Sequence, residues 1–392
     1  MLRVYDGDLQ SASGRAGAEN EFAQLAADSA AKPTDTSLLL RLAGAAKALG
    51  RDAEEDAALF RLLQLQPRHL EGLFQAADLY ERRGQSAIAA AVYRTALQSI
   101  PASAQLPPEW VRRVQTARAA IDANNGALER FLGERLAEPR ARFAGEPLGR
   151  IDKARDTLLL KRRVYRPQPS FLYVPEIPAV EFFDRALFPW LGEIEAAFED
   201  IRAELMAVMA EPGASVQPYI DLKGQVAGQW AELNNSRRWS AFFLWREGEA
   251  FAENQARCPR TMAALEAWPR CEIPGAAPTA MFSILEPRTR IPPHVGVNNA
   301  RVVVHLPLVI PKECGFRVGA ETRPWVPGQA FVFDDTIEHE AWNDSDDWRA
   351  VLIIDVWNPF VTAAEREMVA ALTDGVNAFY GELPDYIRPQ SK

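Results

Sequence analysis

Three of the chain's four histidines fall in one stretch of its C-terminal half. They are His294, His305 and His339. Imidazole is a good ligand for iron, zinc, copper and nickel, so this cluster predicts a metal site without choosing the metal. A single histidine more often only caps a loop, because both of its ring nitrogens readily form hydrogen bonds. The elements around the cluster must therefore decide between ligand and cap.

Two arginines near these histidines each stand at the start of a predicted strand. Arg301 and His305 are separated by an even number of positions along their strand, so both side chains point to one face. Arg349 begins an otherwise apolar strand, where burial of its guanidinium is costly unless an anion meets it. A dicarboxylate would supply that anion through a bidentate pair. The alternative is a salt bridge to a nearby aspartate. The candidates are Asp344, Asp346 and Asp347.

The residues around the histidines have the pattern of short β-strands. We predict four strands, separated by Pro and Gly turns. They span 280–286, 301–309, 329–334 and 349–357. Many short strands of this kind are typical of a sandwich or jelly roll, in which strand ends can meet at the barrel mouth. His294 follows a turn and His339 follows a strand, so this fold class would bring the two side chains together.

The N-terminal third of the chain repeats. Pro33, Pro67 and Pro101 stand at the spacing of a tetratricopeptide repeat, and so do Gly50 and Gly84. Such repeats are helix pairs that stack into a solenoid with a concave surface. The solenoid could serve dimerisation or stability, or it could dock a protein substrate, and the repeat pattern leaves both interpretations open.

These patterns together predict an α+β protein with more than one domain, as its 392 residues also suggest. We expect a helical region with TPR-like repeats over 1–125, a Pro-containing helical connector over 126–170 and a jelly-roll domain over 171–392. Within the last domain, residues 190–209 have the apolar spacing of one amphipathic helix, which we expect to pack on the sheet.

Composition limits the classes of partner. The net charge of −9 and the pI near 5.2 argue against broad nucleic-acid binding, which needs clustered Lys and Arg. There is no run of about 18 apolar residues, so no transmembrane segment is expected. The first residues do not resemble a signal peptide. Three cysteines without zinc-ligand spacing make a poor disulfide framework, so we expect a cytoplasmic location.

Several motifs in 281–359 closely resemble one enzyme family. They are Phe282-Ser-Ile-Leu285, Pro293-His-Val-Gly296, His305-Leu-Pro-Leu-Val-Ile-Pro311, Phe333-Asp-Asp-Thr-Ile-Glu-His-Glu340 and Asp355-Val-Trp-Asn-Pro359. In this order and spacing they resemble the aspartyl/asparaginyl β-hydroxylase family of 2-oxoglutarate oxygenases. The resemblance implies a double-stranded β-helix, that is, a cupin-like jelly roll with flanking helices.

The resemblance also implies a function. It implies a dioxygenase that uses Fe(II), 2-oxoglutarate and O2 to hydroxylate an Asp/Asn-type side chain in a peptide or protein, with release of succinate and CO2. The helical repeats could hold that substrate. The alternatives are the same chemistry on a free amino acid or a lipid acyl chain, or a repeat-based interaction protein with an inactive jelly roll.

Site residues follow from the resemblance position by position. His294 and His339 match the two iron ligands. Ser283 and Arg349 match the pair that binds the distal carboxylate of 2-oxoglutarate. His305 matches a histidine near the other carboxylate, and Trp245 matches an aromatic residue lining the site.

Two positions concern the third metal ligand and the substrate. Most 2-oxoglutarate oxygenases carry a metal-binding carboxylate two residues after the first histidine. Gly296 stands there in this chain, and the resembling family also lacks the carboxylate, so water should fill that position. Where animal members have a second arginine this chain has Val303, which leaves Arg301 as the predicted partner for a substrate carboxylate.

Overall fold

The computed structural model describes residues 12–101, 103–211, 215–222 and 226–380. The chain divides into two compact units, Met1–Leu159 and Leu160–Lys392, which we term the N-terminal unit and the C-terminal unit. The boundaries expected after residues 125 and 170 differ from this division. One helix, Pro108–Arg142, continues through position 125. Its many Ala, Leu, Arg and Glu residues favour helix, and Gly126 lowers helix stability by only about 1 kcal/mol.

Helices make up the described part of the N-terminal unit. They are α1 (Ala12–Ala31), α2 (Thr36–Ala48), α3 (Asp52–Leu65), α4 (Leu70–Arg82), α5 (Ser86–Gln98), α6 (Pro108–Arg142) and α7 (Gly149–Leu158). Gly50 and Gly84 follow α2 and α4 with φ of 67° and 69°, a left-handed conformation that glycine adopts readily after a helix. The sequence repeat therefore corresponds to two helix pairs, α2–α3 and α4–α5. Their assignment to a tetratricopeptide-like solenoid stays a prediction.

Two antiparallel sheets form the C-terminal unit. Their strands are β1 (Gln217–Pro218), β2 (Trp239–Arg246), β3 (Glu249–Ala250), β4 (Ala280–Leu285), β5 (Thr289–His294), β6 (Arg301–Val309), β7 (Cys314–Val318), β8 (Glu321–Arg323), β9 (Phe331–Phe333), β10 (His339–Asn343) and β11 (Arg349–Trp357). The larger sheet has the order β1-β2-β4-β11-β6-β9, with β3 beside β2, and the smaller sheet has the order β5-β10-β7-β8. A helical N-terminal region followed by an antiparallel β-sandwich is thus confirmed.

The two faces of the larger sheet pack against different layers. Val351 on β11 belongs to an apolar cluster that includes Phe316 and Ile291 of the smaller sheet. Leu352 and Ile354, which alternate with Val351, pack instead with α8 (Leu191–Ala196) and α9 (Phe198–Ala210). Alternation along β11 therefore directs every second side chain into the space between the sheets.

The remaining helices of the C-terminal unit are short, apart from the last. They are two 3-10 turns (Arg185–Leu187 and Gly228–Trp230), α10 (Ala252–Arg257), α11 (Pro259–Ala264) and α12 (Ala363–Tyr380). The helix predicted over 190–209 packs on the sheet as expected, but it is interrupted at Ala197, whose φ of −88° and ψ of 7° leave the helical conformation. Within the described ranges, no helix combines the length and apolarity needed to cross a membrane.

Candidate active site

His294 and His339 lie directly opposite each other. The register of β5 and β10 pairs the two residues across the strands, and their ring centroids are 4.1 Å apart. Nδ1 of His294 lies 2.9 Å from the carbonyl oxygen of Pro292, and Nδ1 of His339 lies 3.1 Å from that of Ile337. A carbonyl only accepts, so each Nδ1–H donates and each Nε2 carries the lone pair. Backbone carbonyls orient metal-binding histidines in this way.

Burial keeps two imidazoles of the cavity, those of His339 and His305, neutral. Burial lowers the pKa of His339 to about 4. Burial, followed by the charge of Arg349, also lowers the pKa of His305 well below its ordinary value. Neutral imidazole is the form that binds a metal ion or donates a single hydrogen bond at neutral pH.

The third protein ligand common in related metal sites has no counterpart here. Among the described residues, no three His, Cys, Asp or Glu side chains are grouped as metal ligands. At Gly296, a Cβ atom would overlap the carboxylate of Asp335, and the Gly296 N–H donates to the Asp335 carbonyl at 2.7 Å. Asp335 therefore occupies the space that a side chain two residues after His294 would need.

Gly296→Ala should consequently destabilise the protein. The added methyl must displace Asp335 from a close-packed position, and overpacking of this kind lowers the free energy of unfolding by roughly 1–3 kcal/mol. Urea denaturation measures the change. Gly192→Ala in α8 is the matched control, because a Cβ there meets no heavy atom of the described chain within 4 Å. Equal stability of the two variants would contradict the close approach of Asp335 to Gly296.

Arg349 is a buried cation in the same cavity. Its side chain is 1% exposed, and it lines a cavity together with His294 and His339. Cζ lies 4.4 Å from the ring centroid of Trp325, and Nη1 donates a long hydrogen bond of 3.5 Å to the carbonyl of Ser283. In the described ranges no carboxylate pairs with this guanidinium, and Nε lacks a hydrogen-bond partner. Burial lowers the pKa of Arg349 to about 10.

The alternative salt bridge to a neighbouring aspartate is not formed in the described chain. Asp344 pairs with Arg290, and Asp346 pairs with Arg288. Both pairs are at the protein surface, away from the buried guanidinium of Arg349. The cavity therefore presents an uncompensated positive charge beside Arg349, the environment in which a bound anion gives the largest gain.

Two further predicted residues line the cavity close to Arg349. Ser283 on β4 accepts a hydrogen bond of 3.1 Å from Nε1 of Trp239, which leaves its own O–H to donate. Nε1 of Trp325 donates to Nδ1 of His305 at 3.4 Å, so the remaining proton of this neutral ring is on Nε2. Both side chains can therefore donate a hydrogen bond to an anion in the cavity.

The structure corrects the placement of Trp245. A register shift in β2 between Phe243 and Trp245 inserts a bulge, which turns Trp245 to the helix-covered face of the sheet. There it packs edge-on against Trp268, with ring centroids 5.6 Å apart. Trp239, at the start of the same strand, lines the cavity instead, and its ring centroid is 6.3 Å from that of His294.

Arg301 lines the cavity as predicted, but its charge is already paired. Nη1 lies 2.9 Å from Oδ1 of Asp355, and Nη2 lies 3.1 Å from Oδ2 of Asp335. All three side chains are buried. Burial alone would lower the pKa of Arg301, but the two carboxylates outweigh this effect and raise it. The predicted role of Arg301 in substrate binding is therefore not explained by a free positive charge.

Trp239, Asp335, Asp355 and Tyr219 are cavity residues to which the sequence analysis assigned no role. Asp335 and Asp355 stand inside the motifs that carried the family resemblance, so their position was a usable signal. Tyr219 stacks on Trp239 with ring centroids 4.1 Å apart, and its isolated position just after the short strand β1 gave no comparable signal.

The part of the chain that contains the candidate site is similar in sequence to known proteins. A model of the family described as aspartyl/asparaginyl beta-hydroxylase matches residues 195–359, which contain every predicted site residue. Residues 195–359 are therefore similar to the aspartyl/asparaginyl beta-hydroxylase family, and the resemblance predicted from the motifs is confirmed.

Three known proteins are similar to this chain over part of its length. An ornithine lipid ester-linked acyl 2-hydroxylase of Rhizobium tropici is 37% identical over 46% of this chain and 62% of its own length. The human aspartyl/asparaginyl beta-hydroxylase is 35% identical over 46% of this chain and 22% of its own length. Human aspartate beta-hydroxylase domain-containing protein 2 is 29% identical over 62% of this chain and 66% of its own length. The chain thus spans less than two thirds of the first two relatives.

Proposed function

We propose that the C-terminal unit is an Fe(II)- and 2-oxoglutarate-dependent dioxygenase that hydroxylates an Asp/Asn-type side chain in a peptide or protein. One observation carries the proposal: Arg349 is a buried cation without a carboxylate partner in the described chain, and it lines the same cavity as His294 and His339, whose ring centroids lie 4.1 Å apart. A dicarboxylate that also binds a metal ion satisfies both features together.

The donor set of the cavity fits these ligands. His294 and His339 would hold Fe(II) through Nε2, the nitrogen opposite their carbonyl-bonded Nδ1. Arg349 and the Ser283 hydroxyl would bind the distal carboxylate of 2-oxoglutarate, and Nε2–H of His305 would bind the other carboxylate. When bound, iron with 2-oxoglutarate and O2 supplies an oxidation in which one oxygen enters succinate and the other converts a substrate C–H into C–OH.

The chain's own residues prepare this reaction by orienting the reactants and excluding water. Phe316 and Phe333 pack around His339 with ring centroids 6.1 and 5.5 Å from its own, and Trp230 lies 5.3 Å from His294 on the other side. An apolar wall of this kind strengthens the ion pair between Arg349 and a bound carboxylate, because the local dielectric is low.

Anaerobic titration with Fe(II) and 2-oxoglutarate tests the proposal, followed by exposure to O2 and measurement of succinate. Peptides, amino acids and lipids are then screened for a mass gain of one oxygen. We expect binding of both ligands, slow succinate formation without substrate and faster formation with a peptide. Failure to bind 2-oxoglutarate in the presence of Fe(II) would leave only a scaffold protein with an inactive jelly roll.

A lipid acyl chain is the second candidate substrate. The Rhizobium tropici relative, named for acting on the acyl group of an ornithine lipid, is 37% identical to this chain over 185 residues. The same screen separates the two candidates, because a mass gain confined to lipid would replace the peptide assignment. The cytoplasmic location stays a prediction.

Removal of the N-terminal unit should separate chemistry from substrate docking. All predicted site residues lie in the C-terminal unit, and helical repeats mainly contact their neighbours. A chain of residues 160–392 should therefore bind Fe(II) and 2-oxoglutarate within about twofold of the full chain. If the repeats dock the substrate, hydroxylation of a peptide found in the screen should fall much further. Loss of Fe(II) binding would instead make the N-terminal unit a structural part of the oxygenase.

A further inference from the structure

The cavity has a different charge at each end. Arg349 begins β11 and Asp355 lies near its other end, roughly 20 Å away at the usual rise of a strand. At the first end the guanidinium of Arg349 meets no carboxylate of the described chain. At the second end two carboxylates, Asp335 and Asp355, share the single guanidinium of Arg301. An anion is therefore favoured at the Arg349 end and disfavoured at the Arg301 end.

At the Arg301 end of the cavity, one carboxylate oxygen of this group accepts no hydrogen bond from the described chain. Oδ1 of Asp355 accepts from Arg301, and Oδ2 accepts from the Thr279 N–H at 3.0 Å. Oδ2 of Asp335 also accepts from Arg301. Oδ1 of Asp335 is buried without a hydrogen-bond partner in the part of the chain that the structure describes, although the residue lines the cavity and is only 5% exposed. This oxygen can accept a hydrogen bond from a donor group of the bound substrate.

The neighbouring charges do not reverse this preference, because Arg246, which lines an adjoining pocket with Arg301, is paired with Glu247 at 3.6 Å. Val303, two residues after Arg301 on β6, is apolar and lines the cavity. Tyr219 and Thr279, which line the cavity with Arg301, are polar but uncharged. A substrate carboxylate would be a third anion near one guanidinium, whereas the NH2 of a carboxamide would donate to Asp335.

We propose that this chain hydroxylates asparagine rather than aspartate, because the Arg301 end of the cavity accepts a hydrogen-bond donor and rejects a carboxylate. The inference rests on the proposed function and specifies its substrate. It also revises the role predicted for Arg301, which positions Asp335 and Asp355 instead of binding the substrate.

Two matched peptide pools test the preference. Both are randomised at the flanking positions, and the central residue is Asn in one pool and Asp in the other. The full chain, loaded with Fe(II) and 2-oxoglutarate, should add one oxygen to the Asn pool at least about tenfold faster. N-acetyl-asparagine methylamide should also bind more tightly than its aspartate counterpart in anaerobic calorimetry, a readout that needs no turnover. Equal responses to Asn and Asp, including no response to either, overturn the inference.

A pair of variants assigns the preference to Asp335. In Asp335→Asn the amide can still accept from Arg301 with its oxygen while its NH2 faces the cavity, so the preference for Asn should shrink or reverse. Asp334→Asn is the control: Asp334 is equally buried but bonds to Thr336 and does not line the cavity, so its preference should match the natural chain. Thermal unfolding verifies that both variants fold. Loss of the preference in both variants, or in neither, contradicts the assignment.

The same experiments distinguish this inference from the proposed function. Binding of 2-oxoglutarate with slow succinate formation in the absence of peptide keeps the dioxygenase assignment, whatever the pools show. If 2-oxoglutarate does not bind, the dioxygenase assignment fails, and calorimetry with the two small amides still decides whether this cavity distinguishes carboxamide from carboxylate.

Discussion

Arg349→Met should weaken 2-oxoglutarate binding more than a hundredfold without destabilising the protein that lacks its ligands. Two charge-assisted hydrogen bonds to the distal carboxylate would be lost, each worth about 1.5–3 kcal/mol, and a hundredfold corresponds to about 3 kcal/mol. In the described chain no carboxylate is left behind, because Arg349 pairs with none. Its lowered pKa also shows that burial of the charge opposes folding, so methionine should leave the melting temperature unchanged or raise it.

Arg290→Met is the matched control for this variant. Arg290 is a surface arginine on β5 that pairs with Asp344, and exposed pairs of this kind contribute about 0–1 kcal/mol. Anaerobic calorimetry should give an unchanged affinity for 2-oxoglutarate. If Arg349→Met unfolds while the folded fraction keeps its affinity, Arg349 is a structural residue and the main support for the proposed function is lost.

His294→Ala and His339→Ala should each weaken Fe(II) binding by at least about a hundredfold, and succinate formation should fall in parallel. Loss of an orienting partner outside the metal's ligand shell already costs 10–100-fold in affinity, and here a ligand itself is removed from a set of two. The double variant should retain no Fe(II) after gel filtration. Iron content and succinate are the two measurements.

His69→Ala is the control for these histidine variants. His69 precedes α4 in the N-terminal unit and accepts a hydrogen bond from the Gly72 N–H, so its loss should affect that helix end alone. Its iron content and succinate formation should match the natural chain. Normal iron content in both single variants at the cavity would mean that the metal lies elsewhere.

The sequence predicted the strands with the strongest apolar pattern. The runs 301–309 and 349–357 coincide with β6 and β11, and 280–286 differs from β4 by one residue at its end. These strands are central in the larger sheet and buried on both faces, so long apolar runs mark them. β5, β7, β8 and β10 form the smaller sheet, and no strand was predicted for them. They are short and interrupted by Pro, Gly and charged residues, so their pattern is weak.

The candidate site was likewise predictable from the sequence in part, and the rest was decided by the tertiary structure. Residue types and motifs were sufficient to select His294, His339, Ser283, His305 and Arg349, and the structure brings all five to one cavity. The register of β5 and β10 decided that the two histidines oppose each other, because cross-strand pairing is set by packing between distant segments. A single bulge in β2 decided that Trp239 lines the cavity in place of Trp245.

Arg301 shows most clearly what only the tertiary structure decided. The even spacing between Arg301 and His305 predicted that both side chains lie on the same face of the strand, and both line the cavity in the structure. Its partners come from the segment after β9 and from β11, at Asp335 and Asp355. A sequence states which charges a chain carries, but the net charge at a site depends on which distant segments fold against it, since Coulomb interactions act through space and strengthen on burial.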